Sequence, residues 1–345
     1  MHSGFRVVSV NQAEKNLTQT RIIINTIHMF SSKSTAMRFD AVKQTMNPFR
    51  TRLLALAVAL LLSACASPPP VVVPPEPPPP VVLPKKPPRI ALALGGGAAR
   101  GFAHVGVIQV LEEAGIRADL VVGTSAGSLV AALLASGKTG AQLQQIADSM
   151  DESTFADWTL PIFSRGVLRG EALARYVSKQ VNGQLIENLA MPLGIVATDL
   201  NSGAGVLFRR GDIGTAVRAS SAVPALFQPV RISGRDYVDG GLVSPVPVRY
   251  ALQMGAGLVI AVDISSAPEA NAANDSLQIL LQTFSIMGKS INNFELREAD
   301  IVVRPELNAV ASSDFSSRQR SIQAGRQAMQ RLLPQLRASI LAKTL

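Results

Sequence analysis

Short apolar segments alternate with helical segments along most of this chain after Pro88, and this alternation is the strongest constraint on its fold. Strands are predicted where apolar residues run together between glycine or polar residues. The predicted strands are Arg89–Leu94, Leu120–Val122, Leu193–Thr198, Val206–Arg209, Val230–Ile232, Leu258–Asp263 and Ile301–Arg304. The predicted helices include Gly101–Gly115, Ala126–Ala135 and the amphipathic segment Gln319–Leu341. This pattern predicts one three-layer α/β/α domain over residues 89–345, with a mainly parallel central sheet.

Residues 46–64 have the layout of a secretory signal. A short basic stretch is followed by ten apolar residues, 53–62, and then by small residues up to Cys65. Ten apolar residues are too few to cross a bilayer, which requires about 20. The stretch Leu62-Ser63-Ala64-Cys65 resembles the bacterial lipobox, in which the cysteine is lipidated. The resemblance implies a lipid anchor on Cys65 in the bacterial cell envelope; the alternative is an ordinary signal.

The segments on either side of this signal contain no domain pattern. Residues 1–45 precede the signal, so they are predicted to be a non-native upstream extension with Met46 as the true start. Residues 65–88 are rich in proline, which favours an extended polyproline conformation and predicts a stiff spacer after the lipidated cysteine. A proline-rich ligand for a recognition module is the alternative. In the bacterial lipoproteins that this stretch resembles, a residue other than aspartate after the cysteine favours the outer membrane. Ala66 at this position therefore predicts an outer-membrane protein that faces the periplasm.

The formal charge of +9 does not indicate a nucleic-acid partner. Residues 1–64 carry eight Lys or Arg against two acids, which leaves 25 basic and 22 acidic side chains, a net charge of +3, for the rest of the chain. Those basic residues are scattered, and aromatic residues make up only 5% of the chain. A nucleic-acid site would need a basic patch and aromatic stacking partners. We therefore predict no nucleic-acid partner, and the sequence leaves the oligomeric state open.

A serine between glycines follows the predicted strand Leu120–Val122, in the stretch Gly123-Thr124-Ser125-Ala126-Gly127. Such a sharp turn from strand to helix requires small flanking residues, and it presents the hydroxyl at the carboxyl edge of a sheet. Ser125 is therefore the candidate nucleophile. The alternative is a turn of small residues that only packs the helix on the strand.

The histidines restrict the base that could serve Ser125. A triad of the α/β-hydrolase type runs Ser, acid, His in chain order. Here the histidines are His2, His28 and His104, and all three precede Ser125. His104 lies in the first turn of an apolar helix, which favours packing or a local hydrogen bond over catalysis. A carboxylate is the remaining candidate base.

Asp239 is the candidate carboxylate. It follows Tyr237-Val238 and precedes Gly240-Gly241, a pattern typical of a strand that ends in a turn and leaves the side chain in open space. An aspartate bonded to a serine can accept its proton during attack and later activate water. Asp-Gly is also a common turn, and Asp199 and Asp263, at other strand ends, are competing acids.

A glycine-rich loop, Gly95-Gly96-Gly97-Ala98-Ala99-Arg100-Gly101, joins the first strand to a helix. Consecutive small residues let backbone N–H groups approach an anion. A dinucleotide site is one interpretation, but the acidic residue expected after a second strand is missing. The favoured interpretation is an oxyanion hole, in which fixed donors stabilise the charge that develops on a carbonyl oxygen.

These three motifs, in this order, resemble the patatin-like phospholipase family. The glycine-rich loop precedes Gly-x-Ser-x-Gly by about 25 residues, and Asp-Gly-Gly follows more than 100 residues later. The likeness covers roughly Arg89 to Asp263, including Gly101–Val107 and Ser220–Pro224. It implies a Ser/Asp dyad of Ser125 and Asp239 that acts without histidine.

The resemblance also implies roles for the loop. The amides of Gly95, Gly96, Gly97 and Ala98 hold the oxyanion, with Arg100 beside them. Ala98 stands where the family often has its third glycine, so the resemblance does not decide which of these amides point inward. Arg100 either faces a phosphate or bonds helix carbonyls.

The implied activity is hydrolysis of fatty acyl esters in phospholipids or lysophospholipids, through an acyl-enzyme and without metal or cofactor. The alternatives are a thioesterase or short-chain esterase, and a non-catalytic lipid-binding lipoprotein. One loosely patterned stretch could cover the site or contact lipid, with ordinary packing as the alternative; it contains Phe155, Trp158, Ile162 and Phe163.

Overall fold

The computed structural model describes Arg52, Ala57 and residues 86–150, 157, 166–265, 275–308, 310–311 and 313–344. The chain divides between Pro80 and Val81, and the fold described here is that of the second unit, Val81–Leu345. Cys65 and nearly all of both the predicted signal and the proline-rich spacer lie outside the described residues. Their assignments stay predictions.

Eight strands form a central sheet in the order β10-β9-β1-β2-β4-β8-β7, with β5 paired to β4. The strands are β1 (Ile90–Leu94), β2 (Leu120–Thr124), β3 (Gly166–Leu168), β4 (Leu193–Asp199), β5 (Gly205–Phe208), β6 (Ala225–Phe227), β7 (Val230–Ile232), β8 (Arg235–Asp239), β9 (Leu258–Val262) and β10 (Ile301–Val303). The five strands from β10 to β4 run parallel, whereas β5, β8 and β7 pair antiparallel. The strands β3 and β6 form a separate pair.

Seven of the eight α-helices of the described chain lie in connections between these strands, and the eighth follows the last strand. They are α1 (Ala103–Glu113), α2 (Ala126–Ala135), α3 (Gly140–Ser149), α4 (Glu171–Gln180), α5 (Ile213–Ser220), α6 (Val248–Gln253), α7 (Ser276–Glu295) and α8 (Arg318–Ala342). Short 3-10 helices span Ala98–Phe102, Ile186–Asn188, Gly240–Leu242, Leu296–Glu298 and Phe315–Ser317. Within the described ranges, no helix combines the length and the apolar character needed to cross a membrane.

The side chains of β1 show how the layers are built. Ile90, Leu92 and Leu94 belong to a large core with residues of α1, α2, α3, α4 and α8. Ala91 and Ala93 point the other way, into a smaller core with residues of α6. Successive strand residues face opposite sides of a sheet, so a strand that is apolar throughout is covered on both faces. The predicted three-layer domain with a mainly parallel sheet is confirmed.

Helices α1 and α8 cross with their backbones in contact. A Cβ added to Gly106 of α1 would lie 1.9 Å from the carbonyl oxygen of Ile322, and one added to Gly325 of α8 would lie 2.0 Å from that of Ala103. Real Cβ atoms do not approach backbone so closely. The two glycines therefore permit the crossing, which holds the closing helix against the helix that follows the glycine-rich loop.

Strand register brings the serine and the aspartate to the same level of the sheet. Thr124 pairs with Val196 on one side of β4, and Asp239 pairs with Ala197 on the other. Ser125 follows Thr124, so both candidate residues meet above the same point of β4. Gly240 completes the approach, since a Cβ there would lie 2.2 Å from the carbonyl oxygen of Val196.

Candidate active site

Ser125 occupies the turn between β2 and α2 in a strained backbone conformation. Its φ is 52° and its ψ is −125°, a combination that residues with side chains rarely adopt. The glycines on either side are required by close packing: a Cβ at Gly123 would lie 2.4 Å from the carbonyl oxygen of Gly127, and one at Gly127 would lie 2.1 Å from that of Leu94. The Gly-x-Ser-x-Gly spacing therefore follows from the approach of the turn to β1 and α2.

The hydroxyl of Ser125 donates a 2.7 Å hydrogen bond to Oδ2 of Asp239. Asp239 is 6% exposed, and its other carboxylate oxygen accepts a 2.6 Å bond from the N–H of Gly241. Burial raises the pKa of Asp239 from 3.8 to about 6, against the opposing effects of the bonds from Gly241 and Ser125. A carboxylate with a pKa closer to neutrality is a stronger base than an ordinary aspartate, and it is still largely ionised at pH 7.

The two competing acids are engaged in other contacts. Asp199 forms an ion pair with Arg235 at 2.9 Å. This pair, together with hydrogen bonds from the backbone N–H groups of Ser202 and Asn201, lowers the pKa of Asp199 to about 2. Asp263 accepts bonds from the N–H and hydroxyl of Ser265 and pairs with Arg304 at 3.3 Å. Asp239 is the acid that contacts the serine hydroxyl.

His104 is fully buried and supports the glycine-rich loop. Its Nε2 lies 2.8 Å from the carbonyl oxygen of Gly95. Because a carbonyl oxygen only accepts, Nε2 carries the proton. Burial lowers the pKa of His104 to about 4, so the ring is neutral at pH 7. This is the local hydrogen bond favoured by the sequence.

The glycine-rich loop passes directly beside the serine. A Cβ at Gly96 would lie 3.1 Å from Cβ of Ser125, so this glycine permits the close approach. The amides of Gly95 and Gly96 donate to the carbonyl oxygens of Val262 and Pro245, each at 3.0 Å. These bonds fix the loop, but they commit two of the four predicted oxyanion donors to the protein itself.

The amides of Gly97 and Ala98 are the two predicted donors that make no backbone hydrogen bond within the described part of the chain. They lie at the start of the 3-10 helix Ala98–Phe102, where N–H groups lack partners inside the helix. Ala98 has a φ of 50°, a left-handed conformation that glycine adopts without strain. This conformation explains why a third glycine suits the position.

Ser220 is a site residue whose role the sequence did not reveal, although it lies in the quoted stretch Ser220–Pro224. Its hydroxyl accepts a 2.9 Å bond from the N–H of Ser125 and donates a 2.6 Å bond to the carbonyl oxygen of Val196. Two residues later, the carbonyl oxygen of Ala222 accepts from the N–H of Asp239 at 3.0 Å. One short segment, which begins at the last residue of α5, thus holds the backbones of both candidate catalytic residues.

Ser125 and Asp239 line a cavity of about 830 Å³ whose wall is largely apolar. Its wall includes Leu129, Leu133, Ile146, Phe227 and Phe284. Arg100 also lines the cavity and is buried. This position is compatible with both predicted roles, facing a phosphate and bonding helix carbonyls.

Across the described residues, no group of three or more His, Cys, Asp or Glu side chains has the arrangement of a metal site. Phe155, Trp158, Ile162 and Phe163, for which the sequence left covering the site, contacting lipid and ordinary packing open, lie outside the described residues.

Comparison with known proteins places this site in a family context. Residues 92–252 match the family model described as patatin-like phospholipase. An uncharacterized NTE family protein of Mycobacterium tuberculosis is 39% identical over 189 residues, which cover 54% of this chain and 52% of the relative. The human patatin-like phospholipase domain-containing protein 6 is 36% identical over 198 residues, 54% of this chain and 14% of that protein. The chain thus matches only about half of the mycobacterial relative's length.

The fold has a counterpart among solved structures. The crystal structure of VipD from Legionella pneumophila superposes with a TM-score of 0.51 at 16% sequence identity, and the match covers 72% of this chain and 67% of VipD. The shared feature at this identity is the fold.

Proposed function

Because the chain belongs to the patatin-like phospholipase family, we propose that it hydrolyses fatty acyl esters of membrane lipids, with Ser125 as nucleophile and Asp239 as base. The 2.7 Å bond from the serine hydroxyl to the buried aspartate is the observation that carries this proposal. An apolar cavity of about 830 Å³ beside this pair is large enough to take a fatty acyl chain.

In the proposed reaction, Ser125 Oγ attacks the ester carbonyl carbon while its proton passes to Oδ2 of Asp239. The negative charge that forms on the carbonyl oxygen is stabilised by the amides of Gly97 and Ala98. The tetrahedral intermediate then collapses, the lipid alcohol leaves with the proton from Asp239, and Ser125 is acylated. Asp239 next removes a proton from water, whose oxygen attacks the acyl carbon. The bond from the acyl group to Ser125 Oγ then breaks, Oγ takes the proton back from Asp239, and the fatty acid is released.

The substrate assay uses the purified full chain with phospholipid, lysophospholipid, acyl thioester and short p-nitrophenyl ester, and measures released acid. We expect phospholipid or lysophospholipid to have the highest kcat/KM, since a long acyl chain can use the apolar cavity wall. A preference for thioester or short ester by about tenfold would favour the alternative esterases. The absence of turnover on all four would favour a non-catalytic lipid-binding lipoprotein.

The activity should depend on pH through Asp239, because a base must be ionised to accept a proton. With a pKa of about 6, kcat/KM on a soluble ester should rise as pH increases through 6 and level off above 7. At pH 5, about a tenth of the plateau value should remain. A stopped assay between pH 4 and 8 measures this profile, and an acidic limb centred near pH 4 would contradict the raised pKa.

The same pKa shift affects stability in a definite direction. The carboxyl is harder to ionise in the folded chain than at its ordinary pKa of 3.8. The contribution of Asp239 to folding is therefore most favourable below pH 3.8 and is lost as pH rises through 6. At neutral pH the ionised carboxylate is held in place at a cost in stability, which is common at catalytic positions.

We also propose that Cys65 carries a lipid and that the enzyme is held at the outer membrane, facing the periplasm. The support is the short apolar segment and the lipobox-like residues 62–65. Labelled palmitate should enter the wild-type chain in a bacterial host. Replacement of Cys65 by serine should abolish that incorporation.

A further inference from the structure

Helix α7 has an apolar face that is exposed to solvent. Nine large hydrophobic residues are exposed in the described chain, and five of them lie on this one helix: Leu277, Ile279, Ile286, Met287 and Phe294. Scattered exposed hydrophobic residues are normal, but their concentration on one element indicates an interaction surface.

Four of these residues form a continuous stripe. Ile279 is 55% exposed, Ile286 54%, Met287 47% and Phe294 66%. With about 3.6 residues per turn, this spacing places all four within an arc of roughly 100° along most of the helix. We call this stripe the outer face of α7.

The opposite side of α7 forms part of the cavity wall. Leu281, Phe284 and Gly288 line the cavity that contains Ser125. Gly288 also lies next to Pro245, since a Cβ there would be 3.4 Å from the proline ring. The carbonyl oxygen of Pro245 accepts from Gly96, which packs against Ser125. One side of α7 therefore carries the outer face, and its other side faces the cavity that contains Ser125.

The charges around the outer face favour an anionic partner. Between the N-cap Asp275 and the buried Glu295, the charged residue of α7 is Lys289, an exposed side chain that also borders the cavity. Arg297 follows the helix, and its guanidinium lies 5.3 Å from the ring centre of Phe294. Glu298 is the next acid along the chain. An apolar face with basic side chains beside it is typical of a helix that lies in a membrane interface.

We propose that the outer face of α7 docks on the surface of an anionic lipid bilayer and brings the cavity to its substrate. Ile286, Met287 and Phe294 would enter the boundary between head groups and acyl chains, while Lys289 and Arg297 remain at the head groups. The inference rests on the proposed function in that it identifies the bilayer as the source of the acyl chain. Docking itself needs no chemistry, so it can be tested separately.

The binding test compares full chains that all carry Cys65→Ser, so that a lipid anchor cannot attach them to membranes. Ile286→Asp and Phe294→Asp alter the outer face, and Leu341→Asp is the matched control, since Leu341 is 76% exposed on α8. Co-sedimentation is measured with vesicles of phosphatidylcholine, with and without phosphatidylglycerol. We expect each α7 variant to bind the mixed vesicles about tenfold more weakly or worse, and Leu341→Asp to bind as the Cys65→Ser parent does.

Activity and oligomeric state complete the experiment. The α7 variants should lose activity on vesicle phospholipid in the same proportion, and should hydrolyse a soluble short ester within twofold of the parent rate. Ser125→Ala should bind vesicles normally, so failure of the proposed chemistry would leave the binding result intact. The docking proposal is overturned if Ile286→Asp binds vesicles as the parent does. It is also overturned if sedimentation shows a dimer that Ile286→Asp dissociates, because the face would then bind a second copy.

Discussion

Replacing Ser125 by alanine should reduce acyl-ester hydrolysis to background, a loss on the order of 10⁴-fold or more in kcat, as expected when a serine nucleophile is removed. The hydroxyl forms the covalent bond in the proposed reaction, and no described neighbour can take its place at that point of the sheet. The measurement is fatty acid release from phospholipid, together with labelling by a fluorophosphonate probe that reacts with activated serines.

Asp239→Asn should also inactivate the enzyme, by about 10³-fold, because asparagine has nearly the same shape but cannot accept the serine proton. The fold should survive, since the substitution removes a buried carboxylate, the pKa of which burial raises to about 6. We therefore expect Asp239→Asn to unfold at the same temperature as the wild type or higher. Inactivity with an intact melting transition would separate the loss of chemistry from unfolding.

Two matched controls make these results specific. Ser136→Ala removes a hydroxyl at the end of α2 that bonds the carbonyl oxygen of Leu133, and Asp263→Asn alters a competing acid. Both should retain activity within about threefold, since neither side chain contacts the serine or the aspartate. If Ser125→Ala released fatty acid as fast as Ser136→Ala, the assignment of the nucleophile would be wrong.

The second large effect is expected on stability, at the crossing of α1 and α8. Glycine to alanine inside a helix is normally favourable by about 1 kcal/mol. At Gly106 and Gly325 the sign should reverse, because the new methyl group would meet backbone atoms at 1.9 and 2.0 Å. Overpacking of this kind costs about 3 kcal/mol or more where the backbone cannot move.

Thermal unfolding of Gly106→Ala and Gly325→Ala measures this effect, and we expect a fall of roughly 10 °C for each in a domain of this size. Gly288→Ala in α7 is the control, since its nearest neighbour would be an ordinary contact at 3.4 Å; its melting temperature should stay the same or rise. Equal melting temperatures for all three variants would mean that the helices separate without cost.

The sequence by itself predicted much of the fold and the candidate nucleophile and base. Buried strands alternating with helices can pack only as layers around a sheet, so the seven predicted strands and the closing helix were recovered. The strands β3 and β6 were not predicted: they are mostly only partly buried and pair with each other outside the central sheet, so they lack the continuous apolar pattern of its buried strands. The positions of His2, His28 and His104 removed the usual triad, because chain order is readable without coordinates. A carboxylate was then the remaining candidate base. Local patterns left Asp199, Asp239 and Asp263 open, and the resemblance to the patatin-like phospholipase family implied Asp239.

Other features depend on contacts between distant segments, and the tertiary structure decided them. Asp239 meets Ser125, and Asp199 does not, because β8 runs antiparallel to β4 and its register brings Asp239 level with Ala197. The amides of Gly95 and Gly96 are committed to carbonyls of residues more than 140 positions away, which leaves Gly97 and Ala98 as the available donors. The outer face of α7 is equally hidden in the sequence, since an apolar helix residue can face a core or solvent. Local patterns record chemistry and periodicity, whereas direction, register and exposure arise only when the whole chain packs.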